Sequence, residues 1–511
     1  MAKITISKSG GKKSLPAGKK FLIFRISNFR FSWIYALIFA LLAAAIILSL
    51  PIILRHIDGN PYLPGEHSYY NARIAQAYSK DNQIITYDPL SYGGRPYVFD
   101  PYPIALSSLS RLVGIESASR TLPFMLGIFS VLLLFMILKS LNVNPKHSFL
   151  AVVIFICSPL YIDTFSKSKS AGFAIFLFLL GSYLFISENL FIASLSTIIF
   201  LVMPLFGVAH AASAILILLA YSISFRKIKR YLAVFIPVTL LSAVYLILLN
   251  LTLTSEAPGF AQTSFVSSFF AGIGSAAGIS IFVIILSVQS IFITWPKKER
   301  FWPVYTIIAV LSLLVLLNKD FVLYANIAIC ALSVLAFFHL IKSRWEIKLL
   351  KKMTLLVLVC GILFSAINNV ATISKAEPSV KTVAALSWLG QNRYSIGLAE
   401  GTMLSHYSNG VWIEYFTGMP SFMDSKFEFA PNPNGRYEIS EEIFQSRDLK
   451  TVVSLLSQNN IRYIFIDEKM KEGLVWKRPD QGMLLLLKNN ETFKNIYDQD
   501  NMEIWEVISF G

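Results

Sequence analysis

The sequence is poor in charge and in cysteine. Of its 511 residues, only 15% are Asp, Glu, Lys or Arg, whereas 55% are hydrophobic. A water-soluble protein needs far more charge to cover its surface, so the composition excludes an ordinary soluble enzyme or binding module. The three cysteines, Cys157, Cys330 and Cys360, all lie within apolar runs, where they are interpreted as small packing residues. The sequence therefore indicates neither a disulfide framework nor a thiolate metal site.

Long apolar runs take the place of the missing charge. A helix of about 20 apolar residues is long enough to cross a bilayer, so each run is a candidate membrane span. About eleven membrane spans are predicted, at 33–54, 121–138, 149–162, 171–186, 190–206, 211–225, 231–251, 276–293, 304–317, 321–341 and 353–370. Almost no charge lies inside them, whereas an ion-coupled transporter usually keeps a charged group at mid-membrane. This pattern counts against transport.

Basic residues predict the orientation of the chain in the membrane. Lys and Arg cluster in the N-terminal tail and again at 226–230, 297–300 and 342–352. With eleven spans and a cytoplasmic N-terminus, all of these clusters fall on the cytoplasmic side, as the positive-inside rule requires. The net charge of +15 is then an orientation signal and a contact with anionic lipid, not a sign of nucleic-acid binding.

Three regions follow from this topology. Residues 1–30 form a basic cytoplasmic tail, 31–371 a multi-pass cell-membrane domain with a large external loop at 55–120, and 372–511 an extracytoplasmic mixed α/β domain. Within the last region, 379–392 reads as a helix, 461–467 as a buried strand and 502–507 as an alternating strand. The predicted fold class is thus an α-helical polytopic membrane protein with a C-terminal mixed α/β domain.

The external loop is unusually rich in side chains that can do chemistry. Four short pieces of it contain the carboxylates Asp58, Glu66, Asp88 and Asp100, accompanied by Arg73, Arg95, His67 and several tyrosines. Chemistry on a lipid-linked phosphosugar needs a carboxylate to take a proton and a cation or bound metal to stabilise the departing phosphate. The simpler interpretation is that any one of these residues is merely solvated in a loop, but a tether would not need so dense a polar cluster.

Four short motifs resemble one family. Tyr69-Tyr70-Asn71-Ala72-Arg73 resembles the acid-Pro-aromatic-aromatic-Asn-Tyr-Arg motif of oligosaccharyltransferase catalytic subunits, and Ser168-Lys169-Ser170-Ala171-Gly172 resembles a motif of their second external loop. Pro204-Leu205-Phe206-Gly207, followed by His210, and the segment 385–389 are also similar to parts of that family. Together with the order of helices, loop and C-terminal domain, they resemble the GT-C superfamily of integral-membrane glycosyltransferases.

The departures from the family pattern are as informative as the matches. His67 stands where the motif has its first Asp, with Glu66 one position earlier, and the acidic pair that follows Gly172 in the family is missing. Of the second-loop acids only Asp163 remains nearby. The family's Trp-Trp-Asp-Tyr-Gly signature, whose Trp-Trp-Asp part recognises the acceptor peptide, aligns with residues 406–410, which keep only the glycine. The resemblance therefore implies an acceptor other than an asparagine sequon, such as a lipid-linked sugar or a surface polysaccharide.

The resemblance implies a transferase that moves a sugar from a polyprenyl-phosphate-linked donor to an acceptor at the external face. Glu66 is the first candidate for general base and Asp58 the second. The remaining candidates are His67, Tyr69, Tyr70, Asp88 and Asp100 for orienting substrate, Arg73, Arg95, Lys167, Lys169 and His210 for the donor phosphate and lipid, and Asp163 for a metal ion. Mg²⁺ or Mn²⁺ bound through oxygen ligands is one expectation. A metal-independent site, with Lys167, Lys169 or an arginine as the cation, is the other.

A non-catalytic role stays open at this point. The positions that match family acids have become His67 and Ser408, and a pseudoenzyme would lose such acids first because each costs desolvation energy. Such a protein would bind a lipid-linked glycan or serve as a partner subunit in envelope glycan assembly. The resemblance implies a polyprenyl-phosphate-linked sugar and membrane lipid as partners, and it leaves protein partners open.

Overall fold

The structure is a computed structural model that describes residues 33–508, apart from 82–84, 188, 226–227, 253–274, 277, 396, 398 and 428–429. The predicted cytoplasmic tail lies outside the described residues. A bundle of apolar helices is followed by a smaller domain with a four-stranded sheet. This architecture confirms the predicted fold class.

The bundle helices overlap the predicted spans. They are α1 (Trp33–Ile57), α4 (Ile115–Ser140), α5 (Pro145–Ile156), α6 (Pro159–Ser166), α7 (Ser170–Ile186), α8 (Leu190–Val202), α9 (Val208–Ser224), α10 (Ile228–Thr252), α11 (Ile281–Thr294), α12 (Lys298–Leu314), α13 (Phe321–Lys342) and α14 (Lys348–Ser374). Within the described ranges, five helices are long and apolar enough to cross a membrane alone, and α5 with α6 forms a sixth candidate bent by 62°. The others are shorter apolar helices, and each predicted span overlaps one of these helices or the bent pair.

Small residues let α1 enter the bundle closely. Ala36, Ala40 and Ala44 are fully buried at a spacing of four residues, which places them on one face of the helix. On the facing helix α4, a Cβ at Gly127 would lie only 2.7 Å from Leu48 Cδ1. In lipid, where apolar burial between helices adds little, such close backbone approach is the usual basis of helix packing.

The loop predicted to be external, residues 55–120 and called the external loop from here on, folds into two helices and a short hairpin. Helix α2 (Glu66–Asp81) and helix α3 (Pro101–Val113) flank strands β1 (Tyr87–Asp88) and β2 (Arg95–Pro96), which pair antiparallel. Asp100 caps α3, because its Oδ1 accepts a 2.8 Å hydrogen bond from the backbone N–H of Tyr102. Proline at the next position suits the first turn of a helix.

The C-terminal domain is built on a four-stranded sheet. A short antiparallel pair within the bundle, β3 (Ser275–Ala276) and β4 (Ile279–Ser280), precedes α11. The strands of the domain are β5 (Thr402–Leu404), β6 (Ile461–Ile466), β7 (Phe493–Gln499) and β8 (Met502–Val507), in the order β5-β6-β8-β7, with β5 and β6 parallel and the other pairs antiparallel. Its helices are α15 (Val380–Asn392), α16 (Gly410–Thr417), α17 (Pro433–Gln445), α18 (Leu449–Gln458) and α19 (Met483–Leu486). The helix expected at 379–392 and both expected strands are present.

Two contacts fix the loop and this domain to each other. The buried guanidinium of Arg55, at the end of α1, donates 3.0 Å hydrogen bonds to the carbonyls of Ser374 and Pro378. The ring of Tyr69 on α2 lies 4.9 Å from that of Tyr415 and 5.1 Å from that of Phe416 on α16. The residues of the external loop are thereby held against the C-terminal domain.

Candidate functional site

A cavity of about 700 Å³ lies where the bundle, the external loop and the C-terminal domain meet. Its polar lining includes His67, Tyr70, Arg95, Asp100, Asp163, Lys169, His210, Asp320 and Lys426. Its apolar lining includes Leu205, Phe206, Val208, Val315, Val322 and Leu323, all from the ends of bundle helices or the turns beside them. A polar region with several charges thus adjoins an apolar one in a single space.

Asp163 on α6 is held between two lysines. Lys167 Nζ lies 2.5 Å from Asp163 Oδ1, and Lys169 Nζ contacts Oδ2. Because α6 ends at Ser166, the chain turns back and brings Lys169 to the same carboxylate as Lys167. Both oxygens of Asp163 are therefore engaged by ammonium groups, and the trio has a formal charge of +1.

A lysine from the C-terminal domain reaches His67. Lys426 Nζ contacts His67 Nδ1 and lies 5.5 Å from the centre of the Tyr70 ring. An ammonium can only donate, so Nδ1 accepts and the neutral imidazole has its proton on Nε2. Burial and the charges of Lys426 and Lys169 lower the pKa of His67 well below its ordinary value, which keeps the ring neutral at pH 7.

Hydrogen bonds bring the two matching motifs together. Asn71 Nδ2 donates a 2.7 Å bond to the carbonyl of Ser168, and the Ser168 and Tyr102 hydroxyls lie 2.7 Å apart. The Ser170 hydroxyl donates to Asp100. Ser168 and Ser170, the residues on either side of Lys169, are therefore both held by the external loop, and this fixes the position of Lys169.

His210 lies elsewhere in the cavity lining, beside α13. Its Nδ1 is 2.8 Å from the Tyr324 hydroxyl, and its Nε2 is 3.8 Å from Asp320 Oδ2. His210 is buried, whereas the Asp320 side chain is 46% exposed. This pair is near the apolar lining contributed by Phe206 and Val322.

Arg73 and Asp88, both predicted at the site, belong instead to a closed ion network. Arg73 donates to the two oxygens of Asp88 at 2.6 and 2.7 Å, and its Nη2 lies 2.9 Å from Glu414 Oε2. Arg95 joins the network through Asp424 at 3.5 Å, while also lining the cavity. Because the Arg73 guanidinium is buried and occupied by carboxylates, it does not face the cavity as a phosphate ligand would.

The first choices for general base are also outside the cavity lining. Asp58 is exposed in the turn after α1. Glu66 begins α2, where a carboxylate suits the positive end of the helix dipole, and its Oε1 is 4.0 Å from His67 Nε2. Tyr69 is buried, and its hydroxyl accepts a 3.0 Å hydrogen bond from the Leu63 N–H. Lys167 is paired with Asp163 and is not part of the cavity lining. Glu66 and Asp58 therefore do not converge on the cavity.

Asp163 and Asp100 do not fit a divalent metal. Among the described residues, no group of three His, Cys, Asp or Glu side chains could hold a metal ion. Asp163, the predicted ligand, has both oxygens on lysine ammonium groups, and Asp100 accepts from the Tyr102 N–H and the Ser170 hydroxyl. Mg²⁺ and Mn²⁺ need several free oxygen ligands, which this arrangement does not offer.

Sequence reasoning missed several residues of the site. Lys426, Glu414 and Asp424 are more than 300 positions from their partners in the external loop, and no local motif marks them. Lys319 and Asp320 could have been found from the sequence, because they are charged residues between two predicted spans that carry no charge. Both line the cavity.

No protein-family model matches the chain, and no curated protein matches it by sequence. Solved structures do match it. The apo oligosaccharyltransferase of Archaeoglobus fulgidus superposes with a TM-score of 0.64 at 12% identity, covering 86% of this chain and 70% of that one. The same archaeal enzyme, AglB, with an inhibitory peptide and a dolichol-phosphate, gives 0.57 at 14% identity, covering 91% and 73%.

A second glycosyltransferase extends the likeness. Arabinofuranosyltransferase AftD from Mycobacteria gives a TM-score of 0.60 at 13% identity, covering 92% of this chain and 40% of that one. At such low identity the comparisons establish the fold alone. This chain therefore has the fold of the archaeal oligosaccharyltransferase and of the mycobacterial arabinofuranosyltransferase, which is the fold that the short motifs predicted.

Proposed function

We propose that this protein is a glycosyltransferase that moves a sugar from a polyprenyl-phosphate-linked donor to an acceptor at the external membrane face. The observation that supports the proposal best is the cavity itself, in which Lys169, Lys426 and His67 share one space with an apolar lining. A lipid phosphosugar has the same two parts, an anionic head and an apolar tail. The archaeal enzyme of the same fold has been captured with a dolichol-phosphate, a lipid of this class.

The donor phosphate binds beside Lys169 and Lys426 in this proposal. Charge-assisted hydrogen bonds from ammonium groups to phosphate oxygens are among the stronger polar contacts. The start of the polyprenyl chain follows Phe206, Val208 and Val322 toward the lipid. Tyr70, whose ring lies 5.5 Å from Lys426 Nζ, offers an aromatic face to the sugar.

Transfer then needs one bond to form and one to break. The acceptor hydroxyl oxygen bonds to the anomeric carbon, and the bond from that carbon to the phosphate oxygen breaks with its electrons on the phosphate. The phosphate gains a negative charge, which Lys169 and Lys426 stabilise. The hydroxyl proton passes to His67 Nδ1, which becomes available when the phosphate draws the Lys426 ammonium away. His67 thereby replaces Glu66 as our candidate for general base.

The orientation of the chain belongs to the same proposal. A cytoplasmic N-terminus places the cavity and the C-terminal domain outside, where lipid-linked sugars are consumed at the outer surface. Labelling of cysteines introduced beside Lys298 and Lys494 tests this arrangement. Reaction of the two sites from opposite sides of the membrane supports the topology, and reaction of both from one side contradicts it.

The experiment for the function is transfer from radiolabelled lipid-linked sugars in membranes containing the full chain. Wild type is compared with His67→Gln and with Glu66→Gln in the same assay. Because general-base catalysis is typically worth about 10²- to 10⁴-fold, we expect at least about a hundredfold loss for His67→Gln and little for Glu66→Gln. Equal activity of His67→Gln and wild type would remove His67 from this role.

One observation favours the non-catalytic alternative, in which the protein binds a lipid-linked glycan without transferring sugar. The position that matches the acid of the family motif is His67, and its Nδ1 contacts Lys426. Such a protein would retain the lipid phosphate but release no glycosylated product with any acceptor. Binding together with a complete lack of transfer would therefore decide for this alternative.

A further inference from the structure

The charges around Asp163 and His67 form a compact group. Two lysines are paired with Asp163 and one with neutral His67, so three ammonium groups and one carboxylate leave a formal charge of +2. This equals the charge of one divalent cation. We call Asp163, Lys167, Lys169 and Lys426 the lysine cluster.

The members of the lysine cluster are close enough to act on one ligand. Lys169 and Lys426 line the same cavity as His67 and Asp163. Burial has the largest effect on the pKa of His67 and lowers it. All four charges of the cluster also affect this pKa, because Lys426, Lys169 and Lys167 lower it and Asp163 raises it. An anion beside His67 would therefore lie within the field of the whole cluster.

We infer that the lysine cluster, and not a divalent metal, neutralises the phosphate of the lipid-linked donor. The inference depends on the proposed function only for the identity of the lipid anion. Asp163 serves as a fixed counter-ion that brings Lys167 and Lys169 together before the ligand arrives. Lys169 and Lys426, which reach the cavity, make the contacts with phosphate, and Lys167 positions Asp163 from behind.

Physical chemistry favours this division of labour. A metal at Asp163 would have to displace two ammonium groups from the carboxylate, and it would also need further oxygen ligands. Asp100 does not supply them, because its oxygens accept hydrogen bonds from the Ser170 hydroxyl and from the N–H of Tyr102 at the start of α3. An anion displaces nothing from Asp163. It accepts hydrogen bonds from ammonium groups, each of which has three N–H donors.

The test measures binding of farnesyl phosphate, a short polyprenyl phosphate, to the full chain in nanodiscs. Titrations are run with EDTA, with Mg²⁺ and with Mn²⁺. We expect the three dissociation constants to agree within about twofold, because no charge on the site comes from a metal. Binding that is lost in EDTA and restored by either metal would overturn the inference.

Variants assign the effect to the cluster. Lys169→Met should weaken binding by at least about tenfold, since a hydrogen bond to a charged group contributes about 1.5–3 kcal/mol. Lys169→Arg keeps the charge and should recover most of the affinity, and Lys494→Met, at an exposed position on β7, is the matched control. Unchanged binding by Lys169→Met would place the phosphate elsewhere and contradict the inference.

The two proposals fail in different ways. If farnesyl phosphate binds without metal and through Lys169 but no sugar is ever transferred, the lysine cluster stands and the transferase does not. If sugar is transferred only with Mg²⁺ or Mn²⁺, the transferase stands and the lysine cluster fails. Melting temperatures of the variants, measured in the same nanodiscs, separate lost binding from lost folding.

Discussion

Two charged groups lie side by side in this molecule and behave differently. In the closed network, Arg73, Asp88 and Glu414 are buried and paired with one another between the external loop and the C-terminal domain. In the lysine cluster, Lys169 and Lys426 are also paired, but they border a cavity of about 700 Å³. Paired basic side chains therefore stabilise the fold in one place and are available to a ligand in the other.

Partners and access to the cavity, not residue type, separate a structural charge from a functional one in this molecule. A buried charge that loses its partner is strongly destabilising, whereas a charge beside a cavity can exchange one partner for a ligand. Mutations in the closed network should therefore lower stability, and mutations in the lysine cluster should lower binding and turnover. Each prediction below tests one side of this contrast.

The largest effect is expected for Arg73→Met. Without this guanidinium, buried Asp88 loses both hydrogen bonds from Arg73 and its remaining cation is Arg95, whose Nε lies 4.0 Å from Asp88 Oδ2. Breaking such a buried pair costs about 3–5 kcal/mol. The melting temperature in detergent should fall, and the C-terminal domain should become sensitive to protease. Arg447→Met, at an exposed position, is the control and should change neither reading. A normal melting temperature for Arg73→Met would contradict the closed network.

Lys169→Met should damage turnover while sparing the fold. Loss of one group that stabilises developing charge typically costs about 10²–10³-fold in rate. The ammonium is partly exposed to the cavity, so the melting temperature should stay close to that of wild type. Transfer from a lipid-linked sugar, measured beside thermal unfolding, checks both statements. A large loss of stability without a specific loss of turnover would assign Lys169 to cohesion instead.

Stability of the closed network should depend on pH through Glu414. Burial, with Asp424 and Asp88 nearby, raises the pKa of Glu414 from 4.5 to about 8, although Arg73 opposes the shift. The folded state then holds a proton that the unfolded state releases, so this contribution to stability is present below pH 4.5 and is lost as the pH rises to about 8. Melting temperatures at several pH values should therefore fall less steeply for Glu414→Gln than for wild type. Identical slopes would show that Glu414 does not titrate in this range.

The smallest effect is expected for Glu66→Gln. Glu66 begins α2 outside the cavity lining, and surface substitutions usually change stability by less than about 0.5 kcal/mol. Turnover should stay within about twofold of wild type, which corresponds to the same small free energy. A hundredfold loss would return Glu66 to the role of general base and would require α2 to move toward the cavity.

The sequence predicted the fold better than it predicted the site. Apolar runs and Lys/Arg clusters report directly on the bilayer, so the helices were predictable, and the alternating residues at 502–507 marked strand β8. Tyr70 and Lys169, two candidates that line the cavity, lie within short motifs that are visible in the sequence. Arg73 and Asp88 were assigned to the substrate because nothing local distinguishes a buried ion pair from two open charges. Lys426 could not be found, since its partner His67 is 359 positions away.

A structure of the full chain in nanodiscs with a bound polyprenyl phosphate tests the account most directly. The account predicts the phosphate within hydrogen-bond distance of Lys169 and Lys426, with the lipid chain leaving along Phe206 and Val322. It also predicts that no metal ion bridges the phosphate and Asp163 when Mg²⁺ is present. A phosphate seated on Arg73, or a metal ion held by Asp163 beside the phosphate, would contradict it.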